Sequence, residues 1–127
     1  MGSFVLDAGA LIAVERRDRA TLALLKLAES RGFSLRTHAM VVGQVWRDAS
    51  GRQANLARLL EGVDIRTVDG ALGRAAGELC GKAATSDPID AALALLAEPG
   101  DWVLTSDPDD IVHLVESADR RARVVAV

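Results

Sequence analysis

The chain has 127 residues and a formal net charge of −3, with 50% of its residues hydrophobic and only 3% aromatic. That length supports one domain over residues 1–127, with a core that needs neither metal nor disulfide to hold it. The acidic balance excludes a broad basic surface gripping duplex DNA, though not a small arginine cluster, and the single cysteine, Cys80, excludes an internal disulfide and points to a reducing compartment.

Residues 4–6 form a short apolar run ending at Asp7, which reads as a buried strand. Residues 8–15 follow as a helix with Leu11, Ile12 and Val14 on its apolar face. The charged break Arg16-Arg17-Asp18-Arg19 offers Asp18 as cap for a helix over 19–30, closed by Gly32. Residues 33–36 suit a short strand, and Thr37 is expected to cap a helix from His38 to about Ala49. Ser50-Gly51 breaks that helix, and another is expected over 52–60. Residues 63–68 alternate as a strand, and Asp69 caps a helix running to about Ala84, with Cys80 on its apolar side. A helix after Asp87 is almost entirely Ala and Leu, which implies burial on most sides. Residues 102–105 read as a strand, 108–117 as a helix and 123–127 as a last strand. Strands alternating with helices imply a mainly parallel sheet covered on both faces. No leader pattern opens the chain, Leu6 stands where a myristoylation signal calls for Ser or Thr, and the longest apolar stretch, residues 91–97, is too short for a bilayer. The expectation is a cytoplasmic protein with no membrane partner.

Two near-identical hexapeptides stand out: Thr-Ser-Asp-Pro-Ile-Asp at 85–90 and Thr-Ser-Asp-Pro-Asp-Asp at 105–110. Each has the grammar of a helix start, with Asp as N-cap and Pro at the first helical position. Asp7 and Asp107 both stand where a strand gives way to a helix, and ligands of open α/β sheets bind beyond the carboxyl ends of strands. Asp90 lies in the first turn of the buried helix, where backbone N–H groups favour an ionised carboxylate. Asp7, Asp90 and Asp107 brought together would repel one another unless a cation shared them. Oxygen ligands of this kind suit Mg²⁺ or Mn²⁺, and such ions activate water for phosphodiester hydrolysis.

Four stretches carry a likeness: Val5-Leu6-Asp7-Ala8-Gly9-Ala10-Leu11-Ile12, Val41-Val42-Gly43-Gln44-Val45-Trp46-Arg47, Asp87-Pro88-Ile89-Asp90-Ala91, and Val103-Leu104-Thr105-Ser106-Asp107-Pro108-Asp109-Asp110. Together, in this order, they resemble PIN-domain proteins, and among these the VapC toxins of bacterial toxin–antitoxin pairs. The resemblance spans essentially the whole chain. It implies a Rossmann-like three-layer α/β/α sandwich, a magnesium-dependent endoribonuclease acting on RNA, a small inhibiting antitoxin and a homodimer. It also places Asp7, Asp90 and Asp107 at the family's acidic metal positions, with Asp110 a further acid nearby.

The chain departs from that pattern in two places. Gln44 stands where the family carries Glu, contributing a neutral carbonyl in place of a charge. Ala8-Gly9-Ala10 stands where a hydroxyl or amide residue follows the first Asp. Glu15, Asp48 and Asp87 are candidates for the missing carboxylate, although Asp87 is better read as an N-cap and the other two as solvated charges. Thr105 sits where a hydroxyl would orient a carboxylate or water. Arg16, Arg17, Arg19, Arg47 and Arg52 are candidate phosphate contacts, and Arg120, Arg121 and Arg123 a solvated turn. Trp46 reads as core, and His38 and His113 as surface or cap residues. A binding module with a degraded metal site is the alternative to an enzyme. A phosphate-accepting receiver domain is disfavoured, because it expects a second acid beside Asp7 and a strand-end lysine, whereas Lys26 and Lys82 fall in helices.

Overall fold

The computed structural model describes residues 2–47 and 51–127. Among these, five strands and seven helices follow one another: β1 (Ser3–Leu6), α1 (Ala8–Glu15), α2 (Arg19–Ser30), β2 (Ser34–His38), α3 (Ala39–Val45), α4 (Ala54–Glu61), β3 (Val63–Arg66), α5 (Gly70–Ala83), α6 (Pro88–Leu96), β4 (Trp102–Thr105), α7 (Pro108–Ser117) and β5 (Arg123–Ala126). All strand pairs are parallel, and their order across the sheet is β3-β2-β1-β4-β5. The fold is a Rossmann-like three-layer sandwich. Right-handed crossovers put the helices of leftward steps on one face and those of rightward steps on the other. Accordingly α1 packs against α2, α3 and α4, while α5, α6 and α7 pack among themselves.

The central strands read as continuous apolar runs because both their faces are covered. Every residue of β1 is buried, as are Val103, Leu104 and Thr105 of β4. The Ala/Leu helix α6 buries Ala91, Ala92, Leu93 and Ala94, which bears out the expectation of burial on most sides. Three of the four aromatics gather at the amino ends of the strands, where Phe4 stacks on Trp102 at 5.1 Å between centroids and meets Phe33 edge-on. Asp101, which the sequence does not mark, is buried at that same end. Its carboxylate accepts from the Ser3 and Glu98 N–H groups, both at 2.8 Å.

Several boundaries differ from the sequence reading. Thr37 is a strand residue rather than a cap: it pairs with Ile65, and its hydroxyl donates to the Leu6 carbonyl at 2.7 Å. The cap of α3 is His38, fully buried and not on the surface, whose Nδ1 accepts from the Met40 N–H. The helix stops at Val45 instead of running to Ala49, because the buried Gln53 side chain takes over its last backbone groups. Gln53 Nε2 donates to the Val45 carbonyl and Oε1 accepts from the Arg47 N–H, both at 2.8 Å. Helix α4 correspondingly begins at Ala54, and β3 ends at Arg66. Asp48 and the Ser50 end of the expected break lie outside the described residues. No helix among the described residues is long and apolar enough to cross a membrane.

Candidate active site

The strand order reverses between β1 and β4: β1 leads leftward to β2, and β4 leads rightward to β5. This is a topological switch point, where the chain leaves neighbouring strands toward opposite faces and opens a crevice at their carboxyl ends. Asp7 follows β1 and Asp107 follows β4, so the register of Leu6 with Leu104 brings both acids to that crevice. Asp90 arrives from the opposite direction, in the first turn of α6.

Thr105 joins two of the three. Its hydroxyl hydrogen-bonds the Asp7 carboxylate and accepts from the Asp107 N–H at 2.9 Å. Asp7 is 5% exposed and caps α1 by accepting from the Ala10 N–H at 2.9 Å. Gly9 is required beside it, because a Cβ there would collide with the Ser106 side chain. The glycine thus lets the β4–α7 junction close onto the start of α1, with the Ser106 side chain against Gly9. On the other side, His38 Nε2 bonds the Ile89 carbonyl at 2.9 Å. A carbonyl can only accept, so Nε2 carries the proton and Nδ1 the lone pair that caps α3. Burial pushes the His38 pKa down, consistent with this neutral form. The imidazole therefore fixes the start of α6, and with it Asp90.

The carboxylates feel one another. Asp90 is pushed up to about 6, first by burial and then by the charges of Asp87, Asp7 and Asp107. Asp107 is raised chiefly by a hydrogen bond with the Asp110 carboxyl, then by burial and by the charges of Asp110, Asp7 and Asp109. Burial raises Asp7 too, against the lowering by Thr105 and nearby N–H groups. Asp87, Asp90, Asp107 and Asp110 line one pocket of about 270 Å³ with Thr85, Ser86 and His113. Both hexapeptides thus face a single hollow. Thr85, Ser86 and His113 were not foreseen there; the repetition of the hexapeptide was the available signal. His113 is held by a 2.7 Å bond between Nε2 and the Ala83 carbonyl.

No family model and no curated protein matches the chain.

The remaining candidates, Asp87 apart, lie outside the acidic pocket. Gln44 is exposed and lines a second hollow with Glu15, Arg16, Arg47, Arg52 and Gln53, not the acidic pocket. Arg17 and Arg19 are exposed on the turn into α2. Asp87 caps α6, accepting from the Ile89 and Asp90 N–H groups, and also lines the acidic pocket. Trp46 is half-buried against the core. The polar groups of the acidic pocket are mostly carboxylates, and two of them, Asp90 and Asp107, are raised in part by neighbouring charge, which is the condition a divalent cation relieves. Among the described residues, no three His, Cys, Asp or Glu side chains are gathered closely enough to hold an ion by themselves. Mg²⁺ seldom asks for that, since it is held by one or two carboxylates, waters and substrate phosphates.

Proposed function

We propose that the protein is a PIN-domain endoribonuclease of the VapC toxin type, hydrolysing RNA phosphodiesters with Mg²⁺ or Mn²⁺. The observation that carries this reading is that Asp7 and Asp107, remote in sequence, follow paired strands at the switch point of the sheet and that Asp90 feels the charge of both, each of the three being raised above its ordinary pKa, although Asp7 does not itself line the pocket. The bound cation would supply a water acidic enough to be deprotonated near neutral pH, and charge to stabilise the phosphoryl oxygens. Asp90 and Asp107, which line the acidic pocket, would hold the cation, and Asp7, tied to Asp107 through Thr105, would support them with its charge. Asp110, beside Asp107 in the same pocket, would add a further carboxylate to the cation's surroundings. A small antitoxin that covers the pocket, a homodimer and a cytoplasmic setting belong to the same proposal.

A second reading keeps the fold as a module that binds RNA or a protein without cutting. It is favoured by the absence of a three-ligand group among the described residues and by Gln44 facing the other hollow. Cleavage of single-stranded RNA by the purified protein separates the two. Asp7→Asn and Asp90→Asn are expected to lose at least about a hundredfold in rate while remaining folded. Unchanged cleavage by both variants would overturn the nuclease reading. Calorimetric titration with Mg²⁺ and Mn²⁺ should show saturable, Asp7-dependent binding, and silence throughout the millimolar range would favour the module.

A further inference from the structure

The second hollow lies where the ends of α1 and α3 meet the start of α4, encloses about 340 Å³, and is lined on its polar side by Glu15, Arg16, Gln44, Arg47, Arg52 and Gln53. Among the described residues, three arginines and one glutamate line it, an excess of positive charge in a chain that is acidic overall. The wall is built rather than incidental. Gln53, buried to 7% exposure, donates to Glu15 Oε1 at 3.0 Å while it fastens the end of α3. Glu15 is thereby engaged by an amide, and none of the three arginines forms an ion pair among the described residues. Arg47 is pinned by Nη1, which donates to the Gly43 and Trp46 carbonyls at 3.1 and 2.8 Å. Its other donors, with those of Arg16 and Arg52, remain for an outside acceptor. Planar guanidinium forks match phosphate oxygens in pairs, so phosphate is the chemical complement of such a hollow.

We propose that this hollow holds a backbone phosphate of the single-stranded RNA whose scissile bond lies at the acidic pocket, and that the neutrality of Gln44 keeps it receptive. The proposal rests on the nuclease reading for its ligand. Helix α1 is capped by Asp7 at its start and by Arg16 at its end, and its eight residues span about 12 Å, so the two hollows can serve different phosphates of one strand. A glutamate at position 44 would cancel half of the positive excess at the hollow. Position 44 lines this hollow and not the acidic pocket. Gln44 is thus a specificity determinant for an anion, rather than a failed metal ligand.

The test is the affinity of the full chain for a fluorescent single-stranded oligoribonucleotide, measured by anisotropy in EDTA so that no cleavage intervenes. Arg16→Gln and Arg52→Gln, both at exposed positions, should each weaken binding about fivefold or more at low salt and shrink the slope of log affinity against log salt by about 0.7. Gln44→Glu should weaken it about fivefold, whereas Gln44→Ala and the remote control Arg121→Gln should not. Unaltered affinity and slope in the two arginine variants would overturn the proposal. So would tighter Mg²⁺ binding by Gln44→Glu with unaltered RNA affinity, since that result makes position 44 part of the metal site. Inorganic phosphate provides a separate arm: saturation of the Gln53 side-chain amide shift by phosphate, with RNA affinity indifferent to the arginines, assigns the hollow to a free anion and sinks the RNA assignment. A wild type that binds RNA through these arginines but never cuts it keeps the phosphate site at this hollow and removes the nuclease reading, and with it the placement of a scissile bond at the acidic pocket.

Discussion

The two hexapeptides, alike in five of six letters, perform different tasks around one hollow. In the first, Asp87 places one oxygen on the Ile89 and Asp90 N–H groups, each at 3.1 Å, and so serves its own helix. In the second, Asp107 makes no side-chain bond to α7, and its carboxyl instead meets that of Asp110. The cause lies upstream. Thr85 leaves α5 through Ala84, whose φ of 56 is left-handed, and is only half-buried. Thr105 is the last, wholly buried residue of β4, and its hydroxyl takes the Asp107 N–H while holding Asp7. The differing letter acts in the same sense. Ile89 packs against the core and anchors α6, while Asp109 adds negative charge that helps to raise Asp107. A local motif fixes where a helix starts; what precedes it decides whether the capping carboxylate is left for chemistry.

The contrast can be broken on one side only. Gly9→Ala drives a methyl into Ser106 of the second hexapeptide and touches nothing of the first, so it should cost about 1–3 kcal/mol and lower the rate of RNA cleavage with it. Chemical denaturation checks the former, and a neutral substitution would show that the junction yields easily.

Asp90→Asn sharpens the comparison through pH. Asp90 titrates at about 6 in the fold against 3.8 in the open chain, so between those values the folded state holds more protons. Its stability contribution therefore falls as pH climbs through that window and is flat above it. With Asp90 partly solvated, the penalty at pH 7 is discounted to about 1–2 kcal/mol. The asparagine variant should gain that amount at pH 7 and nothing below pH 4, as read from urea midpoints at the two pH values. Lower stability at pH 7 would mean that the carboxylate is not under strain.

The smallest difference lies between the two caps themselves. Asp87→Ala should cost about 1 kcal/mol through the lost helix bonds. Asp107→Ala, with no such bond to lose, should stay within about 0.5 kcal/mol of the parent. Equal losses in thermal denaturation would erase the distinction.

Much of this arrangement was legible in the residues. Asp7, Asp90 and Asp107 could be named because each sits at a strand end or helix start, positions that short patterns reveal. The sheet class followed from alternating strands and helices, and the burial of α6 from its Ala/Leu composition. The role of Gln53 was hidden, because a glutamine that stops a neighbouring helix leaves no periodic trace. His38 and Gly9 were hidden for a related reason: their partners, Ile89 and Ser106, are contacts of the tertiary fold. Gln44 could be placed on a helix but not assigned to one hollow or the other, since a helix of seven residues can turn its exposed side chains either way.

Strand β1 occupies the middle of the sheet, yet its neighbour β4 lies near the far end of the sequence. A ribosome making this protein therefore releases Asp7 long before Asp107, and until β4 slots in, β1 is paired on one flank alone. Any catalytic power resident in the crevice is withheld from the growing polypeptide until β4 and the residues after it have been made. The same delay leaves an apolar strand edge bare in the meantime, which is the moment at which this chain is most exposed to self-association.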